Sequence, residues 1–132
     1  MSRSGYTDDN DNWELIRWRG AVASAIRGKR GQKLLREMLE ALDAMPLKEL
    51  VVNELITPDG GYCALGALGA WHGINMETID PDDPDQVAKT FNVAQALVRE
   101  IVFENDEGGV YQEQPKTRWI RMKKWVEQNI LS

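Results

Sequence analysis

The tetrapeptide Gly28-Lys29-Arg30-Gly31, flanked by Arg27 and Lys33, is the stretch of this chain best suited to holding an anion. Two glycines let the backbone turn, and a helix opening directly after them would aim unpaired amide groups and a positive dipole end at one spot. Arg27, Lys29, Arg30 and Lys33 are the expected contacts for a phosphate, a carboxylate or a partner. The plainer alternative is a solvated interhelical loop. Lys33 with Glu37, and Arg36 with Glu40, also stand at the four-residue spacing of ordinary helix ion pairs, which would consume part of the charge.

A second cationic face is expected near the end of the chain. Lys116, Arg118, Arg121 and Lys124 fall away from an apolar stripe of Trp119, Met122, Val126 and Ile130. Trp125 stands four residues from Arg121, where a cation can cover an aromatic face. Such a surface suits a nucleic-acid backbone or an acidic protein, although an amphipathic helix with a basic outer side needs no partner.

Carboxylates form the opposite candidate. Asp80, Asp82, Asp83 and Asp85, with Glu104, Asp106 and Glu107, could imitate nucleic-acid phosphates toward a basic partner. The aspartates do not make a calcium loop, because Asp85 occupies the position that needs glycine and Phe91 the position that needs a bidentate glutamate. No metal, nucleotide fingerprint or cofactor is expected. Cys63, after Gly60 and Gly61, would start a helix, where a thiol can become reactive, but the single histidine, His72, is nine residues further on. Along one helix that is roughly 13 Å, so no dyad forms, and a buried structural cysteine is expected. Residues 86–101 loosely fit a helix-turn-helix, with Ala88 at the small position, Asn92 at the turn, and Val98 and Ile101 buried. Only Gln95 and Arg99 could read bases there, among many repelling carboxylates.

These residues need elements to hold them. The 132 residues, 42% hydrophobic with five tryptophans, suffice for one core. Net charge is -5, yet seven of the sixteen basic residues lie between Arg17 and Arg36, and no carboxylate interrupts Leu15 to Arg36. A flexible arm is expected over residues 1–10 and a single α-rich domain over 11–132. Asp11 and Glu14 have capping-box spacing, opening a helix that buries Leu15, Trp18, Val22 and Ile26 and ends near Arg27. After the glycine break a second helix should run from about Gln32 to Met45, stopped by Pro46. Residues 50–56 read as a strand, part of one short β-hairpin turning at Pro58-Asp59-Gly60-Gly61. The small residues from Ala64 to Ala70 read as a central buried helix despite their glycines. Asp83, Pro84 and Gln86 start a short helix, Asn92 and Gln95 would cap another running to about Phe103, a polar loop follows over 104–109, and Pro115 opens the last. The sum is a mainly α fold, one compact domain of five or six helices.

Four stretches, Trp18 to Gln32, Cys63 to Leu68, Glu104 to Asp106 and Arg118 to Val126, resemble landmarks of small uncharacterised proteins encoded by bacteriophages and prophages. The resemblance spans nearly the whole chain from Trp13 and implies a setting, the cytoplasm of a bacterial host, with no activity attached. It implies a non-enzymatic accessory protein that binds a host or phage protein, with inhibition of a host defence complex as the sharper form. The alternative is a nucleic-acid-binding module using Arg27, Lys29, Arg30, Arg121 and Lys124. A small hydrolase using carboxylates or Cys63 is the distant third. The longest apolar runs are too short to span a bilayer, so no membrane role is expected.

Overall fold

Six helices follow one another in the computed structural model, which describes residues 3–5 and 12–132: α1 (Asn12–Arg27), α2 (Lys29–Ala44), α3 (Ala64–Trp71), α4 (Pro84–Phe91), α5 (Gln95–Glu107) and α6 (Pro115–Asn129). Most of the expected arm over 1–10, and the Asp11 half of the expected capping box, lie outside the described residues.

The organising element is α2. Leu34, Leu35, Met38 and Leu42 recur at helical spacing and are buried, each contributing about 1.5–3 kcal/mol relative to exposure. That stripe packs against α3 on one side and α6 on the other, with α1 beside it. α6 runs antiparallel to α2. Its Trp119 Nε1 donates to the Leu42 carbonyl at 3.1 Å, while at the other end Gln32 donates to the Asn129 carbonyl at 3.0 Å and accepts from Leu131 N at 2.8 Å. The expected stripe of Trp119, Met122 and Val126 is buried here, with Ile130 packed at its edge. α5 touches α1, α3, α4 and α6, which closes a single domain.

Three expected boundaries move. Gly28 alone makes the first corner, and α2 begins at Lys29, so Lys29, Arg30 and Gly31 are helical instead of forming a loop. Neither glycine uses a positive φ. Gly31 serves another end: a Cβ there would overlap the Ala25 carbonyl, so the glycine lets α2 cross close over the end of α1. Second, residues 50–56 form no strand. Asn53 takes φ 67° and breaks the extended run, leaving Leu50 and Ile56 each bridged singly to Tyr62. Third, Asn92 does not cap α5. It ends α4 in the left-handed conformation (φ 55°, ψ 48°), and α5 starts after Ala94 and continues through Glu107, so residues 104–107 are its last turn instead of a loop. The expected start of α4 is present, with Asp83 accepting from Gln86 N at 3.1 Å and Pro84 in the first turn.

α3 is short, but from Ala64 to Gly69 it is buried throughout. Its glycines set its distance from its neighbours: a Cβ at Gly66 would overlap the Leu55 carbonyl, and one at Gly69 would overlap the Met76 sulfur. Replacing a helical glycine by alanine ordinarily gains up to about 1 kcal/mol. At Gly66 the overlap should reverse the sign, and Gly66→Ala is expected to cost about 1–3 kcal/mol. Exposed Gly20 on α1, with nothing within 4 Å of an added Cβ, should show the ordinary gain. Chemical denaturation of the two variants measures both; stabilisation by Gly66→Ala would refute the close approach.

Candidate functional site

The two cationic clusters meet different fates. At the α1–α2 corner Arg27, Lys29, Arg30 and Lys33 are all exposed. The expected ion pairs that would have consumed this charge go elsewhere: Glu37 lies 3.2 Å from His72 Nε2, and Arg36 donates to the Leu131 carbonyl at 2.9 Å. Arg30 donates to Asn92 Oδ1 at 3.2 Å, which brings the α4–α5 corner up to the start of α2.

The expected second face does not survive on α6. Arg118 is 8% exposed, donating to the Leu50 carbonyl at 2.7 Å and the Glu113 carbonyl at 3.0 Å. Arg121 is half-buried in a fork on Glu113, at 2.8 and 2.9 Å, and its Nη1 and Nη2 donate to the Glu104 and Asn105 carbonyls. A guanidinium there adds to the Gly108 N–H bond on the Glu104 carbonyl and reaches the Asn105 carbonyl, both in the last turns of α5. Arg118 and Arg121 are thus staples between α6, the loop before it and α5, and only Lys116 and Lys124 stay outward. Trp125 packs against the core edge, and the cations that cover an aromatic ring on this helix are Lys48 and Lys123, 5.4 and 5.5 Å from the Trp119 centroid.

The acidic candidates divide in the same way. Asp80, Asp82, Asp83 and Asp85 are exposed, organised by local bonds such as Asp82 N to Asp80 Oδ1 at 2.9 Å, with Asp85 3.3 Å from Lys89. Of the other group, Glu104 and Asp106 are partly buried and Glu107 is exposed. Asp106, whose side chain is 4% exposed, takes a two-pronged contact from Arg3 at 2.5 and 2.8 Å, Glu107 accepts from Ser4 Oγ at 2.9 Å, and Glu104 faces Arg121 at 3.8 Å. Three carboxylates in the last turn of α5 oppose its dipole, and Arg3 and Arg121 offset them. Burial works against the charge of Arg3, but Cys63 and Asp106 together hold the guanidinium above its ordinary range.

Cys63 caps α3, accepting from Gly66 N at 3.4 Å, and is 1% exposed, with Arg3 Nη1 3.8 Å from its sulfur. His72 caps the other end of the same helix, so thiol and imidazole stand apart. In the stretch expected to read DNA, Ala88, Val98 and Ile101 are buried, but α5 contacts four other helices and Arg99 Nε donates to the Ser4 carbonyl at 2.6 Å. Among the described residues, no three His, Cys, Asp or Glu side chains gather as metal ligands, and no helix is long and apolar enough to cross a membrane.

One surface was not foreseen. A groove of about 750 Å³ runs along α1, with Leu15, Trp18, Val22 and Ile26 on one wall, Glu100, Phe103 and Glu104 of α5 on the other, and Leu131 at its end. The spacing of Leu15, Trp18, Val22 and Ile26 announced an inward face; what it hid is that only Val22 is fully buried. Trp13, Leu15 and Ile16 are 72, 42 and 62% exposed.

The Glu113 fork has a pH signature. Hydrogen bonding from Arg121 holds its carboxyl below the ordinary 4.5, against the effect of burial. Its stabilisation is therefore complete above pH 4.5 and is lost as pH falls through the lower folded value. Glu104 has the opposite sign: burial, then Glu100, push its carboxyl up against the pull of Arg121, so its contribution is present below pH 4.5 and lost as pH rises through the higher folded value. Glu113→Gln should lower stability at neutral pH by about 1–3 kcal/mol and flatten the acid limb, whereas Glu104→Gln should be neutral or stabilising at pH 7. Denaturation midpoints across the acid range decide this, and a steeper acid limb in Glu113→Gln would refute the assignment.

No family model, curated protein or solved structure matches the chain, so its function rests on what its own residues present.

Proposed function

We propose that the chain acts by binding a protein partner, with the α1 groove as the docking site for an amphipathic helix of that partner. The observation that carries this is the incompletely covered inner face of α1. Large apolar side chains at Leu15 and Ile26 stay at least partly open, beside exposed Trp13 and Ile16. Contiguous apolar exposure of this kind marks an interaction surface, and grooves between helices accept helices whose anchors recur at three- and four-residue intervals.

Charge specifies the guest further. Arg19 and Arg27 line the groove from α1, eight residues apart, or about 12 Å along the helix. A guest helix with carboxylates two turns apart meets both. A binder of this kind fits the phage setting, in which the partner is a component of a host defence complex.

A second reading has one observation behind it: exposed Arg27, Lys29 and Lys33 on a stretch without carboxylates suit a nucleic-acid backbone. The two separate by selection from a ribosome-displayed library of helical peptides. Enriched peptides should carry apolar anchors with carboxylates two turns apart. Leu15→Asp should abolish enrichment, and Arg19→Glu with Arg27→Glu should turn the preference toward basic peptides. Enrichment that survives Leu15→Asp would sink the groove. A salt-sensitive DNA shift lost in Lys29→Glu with Lys33→Glu, but kept in Leu15→Asp, would establish the second reading instead.

A further inference from the structure

A small pocket of about 80 Å³ lies where the first turns of α2, the end of α3 and the α4–α5 corner come together. Arg30, Lys33 and Glu37 reach it from one face of α2, His72 from the cap of α3, and Asn92 from the corner, above buried Leu34 and Leu68. We infer that this pocket binds a single phosphate group, as free phosphate or as a monoester carried on a larger molecule.

Four nitrogen-bearing side chains from three separate elements converge there. Asn92 accepts from Arg30 through Oδ1 at 3.2 Å, which leaves its amide nitrogen as the available donor. Glu37 is the carboxylate among the lining residues, and its partner is His72 Nε2 at 3.2 Å, which commits that imidazole nitrogen to the carboxylate. Arg30 and Lys33 then outweigh Glu37 in charge even with a neutral imidazole.

The charge order along α2 places its cations in its first turns. A helix is stabilised by carboxylates in its first turn and cations in its last, by about 0.3–1 kcal/mol each. α2 has no acidic residue in its first turn and no basic one in its last; Lys29, Arg30 and Lys33 sit at the start and Glu37, Glu40 and Asp43 toward the end. The adjoining end of α1 offsets this on the Gly31 side, where the Ala25 carbonyl lies. On the Arg30 and Lys33 side the C-terminal ends of α3 and α4, capped by His72 and Asn92, border the pocket, so the attraction for an anion comes from the two side-chain cations and the Asn92 amide.

Size and shape select phosphate. The pocket has room for a few water-sized groups and is well below the 300–1,000 Å³ or so of sites that enclose whole small molecules. The donors of Arg30, Lys33 and the Asn92 amide suit an oxyanion with three or four accepting oxygens. A planar carboxylate offers two.

His72 is the only histidine, so its imidazole gives one unambiguous nuclear magnetic resonance signal for titration with inorganic phosphate at constant pH and ionic strength. The expected result is a saturable shift, with acetate about tenfold weaker and chloride silent. Arg30→Gln and Lys33→Gln should each weaken phosphate by about tenfold. Leu15→Asp should leave it unchanged, which separates this pocket from the groove. A nucleoside monophosphate that matches phosphate assigns a carried group; phosphate alone assigns the free ion. A shift that does not saturate, equals that of acetate, or persists in the double variant overturns the proposal. Should the double variant lose its helical circular dichroism, Lys33→Gln alone, at an exposed position, decides.

Discussion

Asn105 is 1% exposed on α5, and its amide ties together segments far apart in the chain. Oδ1 accepts from Ala64 N at 3.1 Å, fixing the first turn of α3; Nδ2 donates to the Val51 carbonyl at 2.9 Å and to Asp106 Oδ1 at 2.8 Å. Asp106 in turn holds Arg3 and accepts from Asn53 N at 3.3 Å. An amide buried this deeply must be satisfied on both its oxygen and its nitrogen, or it costs more than it contributes. α3, the irregular segment before it and the start of the chain are therefore held in register by one side chain, and the close glycine contacts of α3 follow from that placement.

Such a network draws three arginines out of the surface charge. Arginines at 3, 118 and 121 go to the inward carboxylates of α5, to Glu113 and to backbone carbonyls. What remains outside is uneven: cations on α1 and the start of α2, carboxylates at Asp80 to Asp85. Electrostatics that hold the fold together and electrostatics left for a partner are thus drawn from different parts of the sequence.

Periodicity made the helices legible. The α2 stripe, the Trp119 stripe and the Asp83–Pro84 start of α4 are local patterns, and local patterns survive into structure. The irregular segment at 50–56 was hidden because its β-branched residues read as a strand, while a single left-handed Asn53 decides otherwise. Arg118 stands one position before Trp119, and nothing in spacing announces that it turns inward to a carbonyl 68 residues away. The same limit applies to the candidate sites: Arg30 and Lys33 were visible as cations, but His72 and Asn92 join them only through the crossing of α2, α3 and the α4–α5 corner. The groove was obscured because an apolar stripe does not reveal whether anything covers it.

The burial of Cys63 beneath Arg3 has a practical consequence. With its sulfur shielded by the guanidinium and by the first turn of α3, the lone thiol meets an alkylating reagent only when residues 3–5 lift away or the whole domain opens. The rate at which native protein is labelled therefore times the detachment of that anchor. Its dependence on denaturant distinguishes a small local opening, which exposes little surface, from global unfolding, which exposes much.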